Sequence, residues 1–337
     1  MPKTIPTDTW NNLFYPPPDY KYFENSAQSD FEPNATAFSW ENAWWLADTA
    51  LLAYAKDWST TKKNLVQAGF DDDIAQLGQD SAKSTKGFFA YRSKPLPFAI
   101  LAFRGTDMDD PRNARSDECT LLQSRDGYIL HRGFCSAPDQ VWQQEVEALL
   151  ALLVQSHPGA PIYFTGHSLG AALATIAVAR FTGSNCALYT IGSPRVRDDR
   201  FVRAVLQKTS RVFRFMNCQD VVTQVPPEIP FVHYFRHVGQ ELYVDRHGAI
   251  HEHPSELHKA ADVVQGILAH DGAALLQEVT HPREFLKHYR DAPLLVDPPP
   301  FVIGNHTPAR YSIRIWNYYS GMGSYDDLDT WDYVEHG

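Results

Sequence analysis

Cysteine is scarce, with four in 337 residues, and Cys119, Cys135, Cys186 and Cys218 form no C-x-x-C pair. Such spacing argues against a cysteine zinc site, and a chain of this length has no need of a disulfide scaffold. We read the four as reduced and expect a cytoplasmic chain, with secretion left open. No leader is expected either, because MPKTIPTDTW has no basic segment followed by a long apolar one, and no apolar run reaches membrane-spanning length. Stable membrane anchoring is therefore not expected. Positive charge is in deficit, 30 Lys and Arg against 40 Asp and Glu, for a net charge of −10. That balance repels phosphate backbones, so no nucleic acid partner is expected.

What remains is an ordinary globular composition, 44% hydrophobic and 21% charged, which excludes a disordered chain or a fibre. The length suits one decorated α/β domain over residues 1–337. Residues 1–38, rich in Pro, Asn and aromatics, are predicted to form an irregular N-terminal arm. Ser39 reads as the N-cap of a helix through ENAWWLADTALLAYAK, in which Leu46, Ala50 and Tyr54 recur at helical spacing.

Strands are predicted at Gly87 to Tyr91 and Phe98 to Phe103, then a helix from about Asp139 to Gln155. A strand at Ile162 to Thr165, a helix from Leu169 to about Phe181, a strand at Ala187 to Ile191, a helix near Asp198 to Lys208 and a strand at Arg211 to Phe215 follow. This alternation predicts an α/β protein with a mostly parallel central sheet and helices on both faces.

Gly166-His167-Ser168-Leu169-Gly170 fits G-x-S-x-G, in which a strand turns sharply into a helix and lifts the serine above the sheet. Strand and helix backbones approach closely there, so the positions two before and two after the serine tolerate almost no side chain; Gly166 and Gly170 stand at both. The helix behind Ser168 points the positive end of its dipole at the hydroxyl, favouring a developing oxyanion. Phe103-Arg104-Gly105-Thr106 ends a strand and opens a loop, where this architecture supplies its other oxyanion donor. The oxyanion hole is assigned to the backbone N–H groups of Thr106 and Leu169, with the Thr106 hydroxyl as a third donor.

These residues resemble the class 3 lipase family, which includes fungal triacylglycerol lipases, feruloyl esterases and some plant phospholipases A1. The matches are FRGT at Phe103 to Thr106, HRGF at His131 to Phe134, GHSLG at Gly166 to Gly170, GSPRV at Gly192 to Val196, and Asn217 to Asp220 followed by Val221 and Pro226-Pro227. They run in the family's order from about Ser39 to Ile229, then loosen until His306. Arg197 departs from the pattern, standing where relatives usually place Gly. The resemblance implies an α/β-hydrolase fold, with residues 239–303 a cap-like insertion before the catalytic histidine.

It also implies that Asp220 is the acid of a Ser-His-Asp triad with Ser168; Asp245 and Asp271 are its nearest rivals. A histidine after Asp220 must serve as base. Asn305-His306-Thr307-Pro308-Ala309-Arg310-Tyr311 resembles the family's terminal block, in which a loop histidine precedes a proline and a tyrosine of the following helix. His306 is thus chosen over His281 and His288, with a helix predicted over Ala309 to Tyr318 and Asn305 standing where an acidic residue is usual. His131, His167 and His237 are read as structural.

His247, His251, His253 and His258 crowd around a predicted hairpin (Glu241 to Ile250) and helix (Glu256 to His270). They have no acidic partner at a fixed spacing, so no metal site is expected. A second insertion helix is predicted at Ala273 to Glu278.

The implied function is a serine carboxylester hydrolase, a lipase or esterase that needs no metal or organic cofactor and acts on an acylglycerol or another small ester. A phospholipase A1, or a non-catalytic lipid-binding protein on the same fold, is the alternative. Residues 107–130, where true lipases of the family carry an amphipathic lid helix, hold nine charged residues. Such a segment offers no wide apolar face to a lipid interface, so little interfacial activation is expected. Acyl chain length, alcohol preference and oligomeric state are not legible.

Overall fold

The computed structural model describes residues 3–4, 10–17, 19–27, 29–78, 86–105, 122–125, 128–131, 145–218, 220–224, 235–269 and 304–321. The chain opens with helices α1 (Trp10–Phe14), α2 (Trp40–Leu52) and α3 (Trp58–Gln67). Strands β1 (Ala75–Leu77), β2 (Gly87–Arg92) and β3 (Phe98–Phe103) follow, and β4 (Leu122–Arg125) pairs with β5 (Tyr128–His131) as a separate antiparallel unit. Next come α4 (Glu147–Ser156), β6 (Ile162–His167), α5 (Leu169–Arg180), β7 (Cys186–Ile191), α6 (Asp199–Lys208) and β8 (Val212–Asn217). A 3-10 turn (Val221–Gln224), strands β9 (Gln240–Val244) and β10 (Ile250–His251) and helices α7 (Glu256–Ala269) and α8 (Pro308–Tyr319) follow.

Eight strands form one sheet in the order β1-β2-β3-β6-β7-β8-β9-β10. From β3 to β9 every pairing is parallel, and both margins are antiparallel. The inner strands are mostly apolar and buried because both faces are covered. Ile100, Ala102, Tyr163 and Phe213 face one way, against Trp44, Trp45, Tyr311 and Trp316 of α2 and α8. Leu101, Phe103, Phe164 and Leu188 face the other way, against Leu150, Leu173, Ile176, Phe201 and Val205 of α4, α5 and α6. Burying one such apolar side chain contributes about 1.5–3 kcal/mol. This is the α/β-hydrolase arrangement that the motif order implied.

Helix α2 is capped as predicted, the Ser39 hydroxyl accepting from the Asn42 N–H. The N-terminal arm is less irregular than expected, since it contains α1 and inserts Phe23 and Phe31 into the core. Residues 240–251 do not stand apart as a cap: β9 extends the parallel sheet beside β8, and β10 folds back on β9. The helix predicted from Asp139 is described from Glu147 onward. The helix predicted at Ala273 to Glu278 lies outside the described residues.

Arg197, the departure from the family pattern, has a defined place. Its carbonyl accepts from the Arg236 N–H at 2.7 Å, and its guanidinium lies over the Phe201 ring at 4.6 Å. Asp198 then caps α6 by accepting from the Phe201 N–H at 3.0 Å, so the turn needs no glycine.

Candidate active site

The carboxyl ends of the parallel strands gather the polar residues, as the parallel α/β architecture leads one to expect. Ser168 sits between β6 and α5 with φ 58° and ψ −128°, a backbone conformation that side chains other than glycine rarely adopt. Close packing enforces it. A Cβ on Gly166 would stand 2.4 Å from the Gly170 carbonyl, and one on Gly170 would stand 2.2 Å from the Phe103 carbonyl oxygen. The Ser168 N–H donates to the Ile191 carbonyl at 3.0 Å. Its hydroxyl does not cap α5.

That hydroxyl lies 2.8 Å from His306 Nε2, and His306 Nδ1 lies 2.9 Å from Asp220 Oδ2. The order Ser168, His306, Asp220 is therefore a continuous hydrogen-bonded line, with the Asp220 side chain fully buried and that of His306 8% exposed. The carboxylate accepts from Nδ1–H, which leaves Nε2 free to accept from the serine hydroxyl.

Asp220 is held on both oxygens. Its Oδ1 accepts from the Val222 N–H at 2.9 Å, and its Oδ2 also accepts from the Tyr311 hydroxyl at 2.6 Å. The same Tyr311 oxygen accepts from the Asn217 N–H at 2.8 Å. Burial, and next the negative charge of Asp220, push the Tyr311 hydroxyl well above its ordinary range, so it stays a donor. Gly192, at φ +57°, passes beneath this group, where a Cβ would come within 3.1 Å of Asp220 Oδ2 and 3.3 Å of His306 Nδ1.

His167, read from the sequence as structural, reaches the same cluster. Its Nε2 hydrogen-bonds the His306 carbonyl oxygen, and its Nδ1 lies 2.9 Å from the Tyr54 hydroxyl. A carbonyl only accepts, so Nε2 carries the proton and Nδ1 accepts from Tyr54. Burial, followed by the neighbouring His306, drives His167 well below the usual histidine range and keeps it neutral. Neither Tyr54 nor Tyr311 carried a role of its own in the sequence reading. Their contacts span 113 and 91 positions, and the one local signal is Tyr311 in the block after His306.

The His306 loop is pinned further by Asn217 Nδ2 donating to the Asn305 carbonyl at 2.9 Å and by Thr307 Oγ1 donating to the Gly304 carbonyl at 2.8 Å. Asn305, where the resemblance expects an acidic residue, is buried with neither side-chain amide atom hydrogen-bonded.

Leu169 opens α5 beside Ser168, where the first N–H groups of a helix have no intrahelical acceptor. Gly105 packs on the serine, since a Cβ there would stand 3.1 Å from Ser168 Cβ and 2.7 Å from the His167 carbonyl oxygen. Thr106, the other predicted donor, lies outside the described residues, as do Asp271, His281, His288 and most of 107–130. Asp245, the other rival acid, points elsewhere, to His251. His237 donates from Nε2 to the Thr223 carbonyl at 2.8 Å, behind the Asp220 loop.

With this geometry, the chain's likenesses fall into one group. Residues 100–229 match the family model described as lipase (class 3). Secreted mono- and diacylglycerol lipase 1 of Fusarium solani is 30% identical over 172 residues, 50% of this chain and 50% of that protein. A lipase of Rhizomucor miehei is 31% identical over 125 residues, 35% of this chain and 33% of that one. The chain thus spans half or less of the length of these curated relatives. Among solved structures, a lipase from Rhizopus microsporus var. chinensis is 24% identical with a TM-score of 0.49, covering 71% of this chain and 83% of that one. No helix of the described residues is long and apolar enough to cross a membrane.

Proposed function

We propose, from the match of residues 100–229 to the class 3 lipase family model, that this chain is a serine carboxylester hydrolase in which Ser168 is the nucleophile, His306 the base and Asp220 the acid. The observation that carries this reading is the line from Ser168 Oγ through both nitrogens of His306 to Asp220, with steps of 2.8 and 2.9 Å. Such a line moves one proton to the imidazole and sets a carboxylate against the positive charge that results. His306 Nε2 takes the hydroxyl proton as Oγ bonds to the ester carbonyl carbon, and Asp220 stabilises the imidazolium from the Nδ1 side. The carbonyl oxygen, now anionic, is met by the N–H of Leu169 at the positive end of α5 and by Thr106. His306 returns the proton to the leaving alcohol, the acyl group stays on Ser168, and water repeats the sequence to release the acid.

For substrate we propose soluble or micellar short- to medium-chain esters, acylglycerols included, because the sequence of residues 107–130, with nine charged residues, has few apolar side chains to offer an oil interface. A p-nitrophenyl ester series on wild type and Ser168→Ala tests both parts. Wild type should prefer short and medium chains, and the variant should lose at least about 10⁴-fold in kcat. Equal turnover by the two proteins sinks the catalytic assignment, and a preference for the longest chains sinks the substrate assignment. A cytoplasmic location is proposed on the free, buried thiols of Cys186 and Cys218. Recovery of the protein from the medium of its producing cells would overturn it.

A further inference from the structure

The geometry points to a second site, unrelated to the ester chemistry: a binding site for a divalent transition ion, zinc in the first instance, formed by Asp245, His251 and His258. Three elements converge there. Asp245 follows β9, His251 lies in β10 and His258 is in the first turn of α7, and one ligand atom from each lies within 4.8 Å of the other two. The sequence offered four histidines in this region and no carboxylate at a recognisable spacing. Folding supplies the carboxylate across the hairpin turn and selects two of the four rings, while His247 and His253 are not in the group.

Two features separate this cluster from an incidental surface pair. Asp245 is pre-oriented: its Oδ1 accepts from the N–H groups of His247 and Ala249, each at 2.9 Å, which turns Oδ2 towards His251 Nε2 at 2.8 Å. A carboxylate fixed by backbone donors on one oxygen presents the other as a ligand with little loss of freedom. The second feature is His258 Nε2, which is shielded from solvent and has no hydrogen-bond partner, although its ring lies 4.4 Å from that of His251. A buried polar atom left unpaired is uncommon and calls for an account. The Asp245–His251 hydrogen bond explains those two residues as a turn staple, but it leaves the lone nitrogen of His258 without a function. An ion between the three groups uses all of them.

The donor set decides the class of ion. Two imidazoles and one carboxylate suit zinc and its neighbours, whereas calcium and magnesium take oxygen ligands. Tetrahedral zinc with bonds of about 2.0–2.1 Å sets ligand atoms about 3.3 Å apart, so pairs that all lie within 4.8 Å need close by no more than about 1.5 Å through side-chain rotation. His251 would carry its proton on Nδ1 and turn Nε2 to the metal, with water in the fourth position. Asp262 is not the fourth ligand, because Tyr243 donates to its Oδ2 at 2.6 Å and the Arg246 N–H approaches the same oxygen at 3.2 Å. Lys259, the nearest cation on α7, is drawn away by Glu241 at 3.1 Å and Glu256 at 2.6 Å.

The test uses the full chain, stripped with chelator, dialysed and titrated with zinc chloride by calorimetry. We expect one zinc per chain at micromolar or tighter affinity. His258→Ala and His251→Ala should each weaken binding at least about tenfold, and His253→Ala should leave it unchanged. At zinc a hundred times the dissociation constant, Tm should rise by about 4 °C in wild type and not in His258→Ala. The His258 ring makes no hydrogen bond that a variant would break, so His258→Ala should melt with wild type in chelator and keep the test valid if changes at Asp245 impair folding. Absence of binding in wild type, or equal affinity in the His251→Ala/His258→Ala double variant, overturns the site. Neither result bears on Ser168, whose ester hydrolysis is read separately in chelator.

Discussion

Replacing Tyr311 by Phe removes one oxygen and little else, and the structure says what that oxygen holds. It donates to Asp220 Oδ2 at 2.6 Å and accepts from the Asn217 N–H at 2.8 Å, in a fully buried setting. A hydrogen bond to a charged group contributes about 1.5–3 kcal/mol, and a buried donor left unpaired costs about 1–3 kcal/mol. The two overlap, because one relaxation relieves both, so we expect a loss of about 2–4 kcal/mol. Unfolding entropy of about 2.1 cal/mol/K per residue makes this a fall in Tm of about 3–6 °C for a chain of 337 residues.

Because burial and Asp220 hold the folded hydroxyl protonated above its ordinary pKa of 10.0, the deficit should persist from pH 7 to about 9 and shrink as the unfolded chain's tyrosine ionises above that. Turnover separates the positioning role from a purely structural one. Asp220 keeps His306 and the Val222 N–H in the variant, so kcat should drop by no more than about tenfold with KM unmoved. Asp220→Asn, which disturbs the tautomer itself, should lose about 10⁴-fold. Calorimetric melting and ester kinetics on the three proteins decide the matter. A Tyr311→Phe variant as stable as wild type, or as inactive as Asp220→Asn, would refute the reasoning.

Gly105→Ala would set a methyl 2.3 Å from the Tyr54 hydroxyl and 2.7 Å from the His167 carbonyl oxygen; kcat should fall at least about tenfold, and wild-type rates with that variant would show that the loop yields freely. Stability should depend on pH through two buried neutral histidines. Both fall well below the ordinary 6.5, His167 through burial and then His306, His237 through burial and then Arg214 and Arg195. Below about pH 6.5 the unfolded chain therefore binds protons that the folded chain refuses, and stability drops with falling pH by up to about 1.4 kcal/mol per unit for each ring. Urea midpoints at pH 7.5 and 5.5 measure this, and no change between them contradicts it. Glu241, whose pKa is lowered by Arg214 and Lys259 against the opposing effect of burial, adds its own loss only below the ordinary carboxylate value of 4.5.

The parts legible in the sequence are those whose cause is local. The strands β3, β6 and β7 and the start of β8 are dominated by apolar residues, and the turn at Ser168 is marked by glycines whose absent side chains are the point. Helix α3 was not read, though Asp57 caps it and Gly69 stands beyond its end at φ +90°; only Thr61 and Leu65 of it are buried, which leaves no apolar stripe. Strand β1 is three residues long, too short to carry an alternation. Asp245, a rival acid for Ser168 by sequence, has a different partner. The register Val244 to Ile250 and Tyr243 to His251 brings it to His251, and that register follows from the hairpin itself rather than from any spacing motif.

Tyr54, His167 and Tyr311 were illegible for a related reason: each acts through a partner that only the fold brings near. Together they show how a base 138 positions from its hydroxyl is held in the short turn that precedes α8. The strand ends supply the anchors. Residue 167, the last of β6, holds the His306 carbonyl, residue 217, the last of β8, holds the Asn305 carbonyl, and Gly192 at the end of β7 leaves room for His306 and Asp220. Successive parallel strands are tied to each other by backbone hydrogen bonds, the Ser168 N–H to Ile191 and the Gly192 N–H to Phe215. A shift of any one strand end therefore moves the hydroxyl, the imidazole and the carboxylate as a unit. Side-chain loss at the loop should loosen the imidazole alone, so its signature is a fall in kcat, whereas damage to the strand ends should cost stability first.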